Sequence, residues 1–266
     1  LGITDDTVDM MESTDGNTVV FSDMGQLLSY NAATNGLTVI FSFYDKDNAD
    51  KRTLYDHHGI KILDVDEGGN IRFAVYGYMN RGRHEGETGI QINSYDSSLN
   101  TIEEEVYIPY TKSYTVLHNE MAQLLYRNRQ QHLYFFLENT VYDVNLETRS
   151  VEPLVSIRQD DSLQVSENHE IIVWQEGDDI NHSNQLNVRN LNTGEQTVIR
   201  AEDGEAIRPL GFMGEDIIYG VALESDIRTE NSGQVFYPMY KVCISNSSGA
   251  NLKEYAQDGI YIIGCS

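Results

Sequence analysis

The chain has 266 residues, of which 42 are acidic and 18 basic, so its formal net charge is −24. This charge argues against non-specific binding to nucleic acid or to anionic lipid, because both need clustered Lys and Arg. Hydrophobic residues make up 40% of the chain and aromatic residues 10%, which excludes a disordered acidic polypeptide. Two cysteines, Cys243 and Cys265, cannot form a disulfide framework or a four-cysteine zinc site.

Short apolar segments rich in Val, Ile, Tyr and Phe follow one another along the chain, separated by clusters of Gly, Asn, Asp and Ser. This pattern predicts many short β-strands, with a helical turn possible only at Asn119 to Leu125. No apolar segment reaches the roughly 18 residues that a membrane helix needs, so no membrane insertion is expected in this chain.

The strands group into units of two hairpins in series, that is, four strands each. The turns of the second hairpins centre near Gly36, Asn100, Arg149, Gly194 and Gly249. Gly and Asn supply the left-handed backbone that tight turns need, and Arg149 is the poor fit. The five units span about 1–43, 53–112, 113–158, 159–203 and 204–258. Four-stranded units repeating every 45 to 64 residues or so predict an all-β fold, a β-propeller of four-stranded antiparallel blades.

Two short motifs carry a family resemblance. The segment Ser13 to Phe21 reads STDGNTVVF, and Asn190 to Gly194 reads NLNTG. These motifs resemble the Asp-Gly and Thr-Gly turns of bacterial TolB and YVTN-like (WD40-like) propellers. The resemblance implies a propeller fold and a bacterial extracellular or cell-surface protein of secreted or lipoprotein type, and it carries no active site. The sequence lacks the Gly-His and Trp-Asp motifs of WD repeats, the recurring Gly-Gly motif of kelch repeats and the Asp-box of sialidases.

The end of the chain, 259–266, is expected to form a strand of a further or closing blade. The sequence is thus interpreted as one propeller domain over 1–266, which is either a fragment of a longer protein or a ring closed by this last strand. Its ring closure and its oligomeric state stay open.

The candidate ligand-binding residues lie in the long loops that join strands two and three of units two, four and five. In unit two, Arg side chains would supply a planar fork for an anion or a sugar and Tyr a stacking face. The alternative is a solvated hairpin extension whose charges pair locally. The loop of unit five is either a lid, a partner-binding loop or plain surface elaboration. The candidates are Tyr76, Tyr78, Arg81, Arg83 and His84 in unit two, with Arg228 and Tyr237 in unit five.

Metal-binding patterns are weak, and no metal or cofactor is expected. Asp45 to Asp50 alternates oxygen ligands but lacks the Gly and the terminal Glu of an EF-hand loop. The adjacent pair His57 and His58 would point to opposite faces of a strand. No nucleophile elbow, zinc-protease motif or P-loop is present. Trp174 and Cys243 are expected in the core.

Three functions remain open. The favoured one is a non-catalytic binding or scaffold propeller whose ligand is a protein, a peptide or a glycan. The alternative is a carbohydrate-active propeller enzyme with carboxylates at the mouth of its channel, for which Asp64, Asp66 and Glu120 are the first candidates. The third is a spacing domain within a larger surface protein.

Overall fold

Strands dominate the part of the chain that the structure describes. The computed structural model describes residues 9–23, 25–43, 58–158, 163–175, 177 and 179–264. Within these ranges lie 22 β-strands and one α-helix, besides short 3-10 turns. In the same ranges no helix has both the length and the apolar character that crossing a membrane requires.

Twenty of the strands form five antiparallel sheets of four strands each. In every sheet the strands are hydrogen-bonded in chain order, and only the fifth sheet has a hairpin inserted between its second and third strands. This is the all-β architecture of β-propeller blades, as the sequence predicts. Each sheet falls within one of the five predicted units.

Blades one and two belong to a first compact unit, formed by the described residues of Leu1–Ala122 and Leu146–Ser150. Blade one comprises β1 (Met10–Glu12), β2 (Thr18–Asp23), β3 (Gln26–Asn31) and β4 (Gly36–Ser42). Blade two comprises β5 (His58–Val65), β6 (Ile71–Tyr78), β7 (Thr88–Asp96) and β8 (Thr101–Pro109).

Blades three to five dominate a second compact unit, Gln123–Asn145 and Val151–Ser266. Blade three comprises β9 (Leu125–Arg127), β10 (His132–Leu137), β11 (Thr140–Asn145) and β12 (Ser150–Ser156). Blade four comprises β13 (Leu163–Val165), β14 (Ile171–Gln175), β15 (Gln185–Asn190) and β16 (Gln196–Arg200). Blade five comprises β17 (Glu205–Met213), β18 (Asp216–Leu223), β21 (Met239–Ser245) and β22 (Asn251–Ala256), with the hairpin β19 (Arg228–Thr229) and β20 (Val235–Phe236) between β18 and β21.

The second strand of blade four shows why its sequence is continuously apolar. In β14, Ile172 and Trp174 pack in one cluster with side chains of blade three, such as Phe136. The alternate residues Ile171 and Val173 pack in another cluster with blade five. Because successive residues of a strand point to opposite faces, a strand covered on both sides must be apolar at every position. Full burial of each such side chain contributes about 1.5–3 kcal/mol.

In the first unit, one cluster joins the facing sides of blades one and two. Its fully buried members include Val20, Leu27, Ile71 and Phe73. The outermost strands are far more exposed than the middle ones. In β22 all six residues are exposed, which follows from its position at the open edge of blade five.

The tight turns adopt the left-handed backbone that the sequence predicts. Asn100 has φ 54° and Gly194 has φ 77°, both allowed at low cost. In blade one the left-handed residue is Asn35, at φ 53°, and not Gly36. Arg149 also has a positive φ, 62°, so this turn carries the backbone strain that its poor fit predicted.

Helix α1 (Tyr114–Gln123) follows blade two and buries Leu117 and Met121. The sequence placed the helical turn at Asn119 to Leu125, so the real helix begins five residues earlier. At the other end of the chain, Ile262 forms an antiparallel bridge with Met239 of β21, with backbone hydrogen bonds of 2.9 and 2.8 Å. The assignment of 259–266 to a further or closing blade stays a prediction.

Candidate functional site

The long loop of blade two, between β6 and β7, is closed on itself by its backbone. The Met79 amide donates to the Glu87 carbonyl at 2.8 Å, and the Gly86 amide donates to the Met79 carbonyl at 2.9 Å. Asn80 ties the loop to blade one by donating its side-chain amide to the Phe43 carbonyl at 2.9 Å. The loop is therefore an ordered extension of the β6–β7 hairpin.

His84 is held by groups of the blade itself. Its Nδ1 lies 3.1 Å from Glu87 Oε2 and its Nε2 lies 3.1 Å from Glu104 Oε1. The imidazole stacks on Tyr107 with ring centroids 3.5 Å apart, and burial raises the pKa of the Tyr107 phenol to about 12. Both ring nitrogens are thus occupied, which matches the local-pairing alternative for this residue.

The two arginines of the same loop differ. Arg81 donates to the backbone carbonyl of Ser42 and lies 5.3 Å from the centroid of the Phe41 ring. Arg83 is exposed at the loop tip. Tyr78 is half-buried at the end of β6. Both arginines are exposed, whereas Tyr78 is partly covered by its neighbours.

Tyr76 is a core residue of blade two. It is 9% exposed, and its hydroxyl lies 3.1 Å from Nδ1 of His118 on helix α1. Its ring lies nearly parallel to that of Tyr114, 6.1 Å away. Burial raises the pKa of Tyr76 well above its ordinary value. The ring therefore supports the helix and offers little surface to a ligand.

The long loop of blade five folds into a short 3-10 turn, Glu224–Asp226, followed by the β19–β20 hairpin. Arg228 and Phe236 face each other across this hairpin. The guanidinium carbon of Arg228 lies 4.8 Å from the centroid of the Phe236 ring. This cation–π contact stacks two flat groups on one wall.

Beside that wall lies a cleft of about 340 Å³, which we call the blade-five cleft. Its lining residues are Ser225, Asp226, Arg228, Phe236, Pro238 and Tyr261. Tyr261 is 52% exposed and reaches the cleft because its neighbour Ile262 bridges to Met239. Tyr261 is not among the candidates predicted from the sequence, where its only signal is the apolar segment GIYIIG.

Tyr237 does not line the cleft, although the sequence placed it with Arg228. It is 2% exposed, and burial raises the pKa of its phenol well above the ordinary value. The guanidinium carbon of Arg208, on β17, lies 4.1 Å from the centroid of its ring. Arg208 in turn donates to the side-chain oxygen of Asn181. The assignment of the seven candidates as ligand contacts stays a prediction.

A second pocket, of about 480 Å³, lies at the end of β14 in blade four. Trp174, one of its lining residues, is 8% exposed and belongs to the core cluster shared with blade three. Beside it, Gln175 donates its side-chain amide to the Ile180 and Ile207 carbonyls. These contacts make both residues part of the scaffold, as the sequence predicts for Trp174.

The carboxylates suggested for a glycosidase have structural partners. Asp66 accepts hydrogen bonds from the backbone and side-chain amides of Asn70 and so closes the β5–β6 turn. Glu120 accepts one from the Tyr110 hydroxyl at 2.8 Å and lies 3.8 Å from Lys112. Asp64 lies on β5 and is half-buried. The enzyme alternative stays a prediction.

Among the described residues, no group of three or more His, Cys, Asp and Glu side chains could hold a metal ion. The candidate calcium loop, Asp45 to Asp50, and His57 lie outside the described residues. Cys243 is buried, as predicted.

Several solved structures are distant structural likenesses of the chain. No protein-family model and no curated protein matches the chain. It is similar to Porphyromonas gingivalis dipeptidyl peptidase 4, with a TM-score of 0.38 and 8% identity, over 94% of this chain and 47% of that one. It is similar to Kluyveromyces lactis Hsv2, with a TM-score of 0.40 and 11% identity, over 93% and 63%. A prolyl endopeptidase structure matches with a TM-score of 0.40 and 12% identity, over 95% and 42%. The chain thus spans less than two thirds of each of these proteins.

Proposed function

We propose that the protein is a binding β-propeller whose ligand docks in the blade-five cleft. The observation that carries this proposal is the composition of the cleft wall. Phe236, Pro238 and Tyr261 offer flat apolar faces, while Arg228 and Asp226 place opposite charges beside them. Aromatic and Arg side chains dominate the energetics of recognition surfaces, and the cleft gathers both kinds.

The cleft wall is held in place by backbone pairing on both sides. The β19–β20 hairpin fixes Arg228 opposite Phe236, and the bridge between Ile262 and Met239 holds the segment that carries Tyr261. A wall that is already ordered loses less conformational entropy when a ligand binds, which favours affinity.

Among the ligands expected from the sequence, we favour a peptide segment of another protein. The cleft offers both a carboxylate and a guanidinium, and a polypeptide can present the matching charge to each of them. A neutral glycan could stack on the aromatic faces and hydrogen-bond through its hydroxyls, but it would leave both charges without a counter-charge. A non-catalytic role rests on the absence of any recognised catalytic motif in the sequence.

The finer family assignment is also part of this proposal. The STDGNTVVF and NLNTG motifs support a TolB or YVTN-like propeller. The resemblance to bacterial propellers, together with the acidic and Tyr-rich composition, supports an extracellular or cell-surface protein of secreted or lipoprotein type.

The experiment is a parallel screen of a displayed random-peptide library and a glycan array with the wild-type chain. Binders are then titrated against Phe236→Ala and Tyr261→Ala. The matched control is Tyr255→Ala on β22, an exposed tyrosine, 51% accessible, that does not line the cleft. We expect each cleft variant to lose at least about tenfold in affinity, roughly 1.4 kcal/mol, and the control to bind like wild type.

Two results would overturn the proposal. One is a binder whose affinity is unchanged in both cleft variants, since the ligand would then sit elsewhere. The other is a set of hits confined to neutral glycans, which would replace the peptide assignment.

A further inference from the structure

Among the residues that the structure describes, Arg208 is a cation without a carboxylate partner. The chain has 42 acidic and 18 basic residues, so an arginine has many possible partners. Arg72, for example, makes a two-pronged ion pair with Glu105, at 2.9 and 3.0 Å. Yet across the described ranges no Asp or Glu side chain lies within ion-pair distance of Arg208. The charge of Arg208 is therefore not neutralised by that part of the chain.

The guanidinium is nevertheless held in a defined place. One face lies against the Tyr237 ring at 4.1 Å, and one nitrogen donates to the side-chain oxygen of Asn181. Asn181 belongs to the inserted loop of blade four, in the 3-10 turn Ile180–His182, whereas Tyr237 belongs to that of blade five. A guanidinium has five N–H donors in a rigid fork, and the contact with Asn181 uses a single nitrogen.

A second polar group beside it is also unsatisfied. The Tyr237 hydroxyl is buried and has no hydrogen-bond partner among the described residues, while the residue as a whole is 2% exposed. A buried hydroxyl without a hydrogen-bond partner destabilises the fold, because it has lost its hydration without compensation. A fixed, half-buried cation thus stands next to a buried donor that lacks an acceptor.

We propose that Arg208 forms an anion subsite that receives a carboxylate group of an acidic molecule. A guanidinium fork matches a carboxylate with two parallel N–H···O bonds. The Tyr237 ring excludes water from one face, which strengthens the attraction. The carboxylate can come from an acidic peptide or from an acidic sugar. This subsite does not depend on the blade-five cleft, since Arg208 does not line it.

The test observes the Arg208 side chain by NMR in the full chain. Nε–H signals of 15N-labelled arginine are recorded while sodium succinate, sodium glucuronate or sodium phosphate is added at constant ionic strength. Assignment uses the signal that disappears in Arg208→Lys. We expect that signal to shift and saturate with succinate or glucuronate. Succinate represents an acidic peptide and glucuronate an acidic sugar, and the tighter of the two identifies the source.

One variant tests the role of the Arg208 fork, and a second serves as a control. Arg208→Lys keeps the positive charge but lacks the planar fork, so its affinity for the carboxylate should fall at least tenfold. The affinity is measured from the rise in melting temperature as the carboxylate concentration increases. Arg200→Gln, an exposed arginine of β16, should bind like wild type. The proposal fails if the Arg208 signal does not move with either carboxylate. It also fails if Arg208→Lys binds as tightly as wild type, or if phosphate binds at least tenfold more tightly than both carboxylates.

Discussion

Replacing Gly59 with Ala should destabilise the first unit through a clash with Tyr76. A Cβ atom at Gly59 would lie 2.4 Å from both Cζ and the hydroxyl oxygen of Tyr76, well inside contact distance. The Tyr76 ring cannot retreat easily, because it is 9% exposed and its hydroxyl lies 3.1 Å from His118 Nδ1. Overpacking of this kind costs about 1–3 kcal/mol, or roughly 2–10 °C in Tm for a chain of this size.

The assay is urea unfolding of wild type, Gly59→Ala, Tyr76→Leu and the double variant. A leucine side chain ends short of the clash, so the double variant should be more stable than the sum of the single effects predicts, by about 1 kcal/mol or more. Gly264→Ala is the control, since no atom lies within 4 Å of the Cβ position there. Single effects that add to within about 0.5 kcal/mol would refute the reasoning, because residues in contact should couple.

Three further outcomes are expected. Glu138 and Asn139 form the two-residue turn between β10 and β11 with φ of 50° and 61°, so the double change Glu138→Asn and Asn139→Gly should raise stability by about 0.5–1 kcal/mol in urea; no gain would contradict the turn assignment. Burial raises the pKa of Tyr134 from 10.0 to about 12. The folded state holds this proton more tightly than the unfolded state, so the stabilisation is complete below pH 10 and is lost as the pH rises towards 12. In Tyr134→Phe, the free energy of unfolding should therefore fall less between pH 10 and 12 than in wild type. Tyr240 donates to the buried carboxylate of Glu205, so Tyr240→Phe should cost about 1.5–3 kcal/mol, and a thermal melt indistinguishable from wild type would refute the role of this bond.

The blades were predictable because their physical causes are local. A strand such as β14 is apolar at every position since it is covered on both faces, and that pattern stands in the sequence itself. The turns were predictable for the same reason, although the left-handed residue of blade one is Asn35 rather than Gly36. Helix α1 was placed too late because its first residues, beginning at Tyr114, include polar and β-branched side chains that favour helices weakly.

The candidate site was predictable only in part. The loop of blade five and its Arg228 follow from loop length and composition. Tyr261 does not, because a backbone bridge distant in the sequence brings it to the cleft. Tyr237 is buried and lies against the Arg208 guanidinium, and a strand pattern does not reveal that contact between distant segments.

The exposed outer strand of blade five, β22, should detach from its sheet more readily than the other strands of the blade. All six residues of β22 are exposed, so detaching the strand uncovers little apolar surface and breaks chiefly its hydrogen bonds to β21. Regions with few buried contacts open at a small fraction of the global unfolding free energy. Amide hydrogens of β22 should therefore exchange long before those of β18, whose side chains are mostly buried. Blade five would fray from its rim while β18 and β21, which carry the cleft loop between them, stay folded.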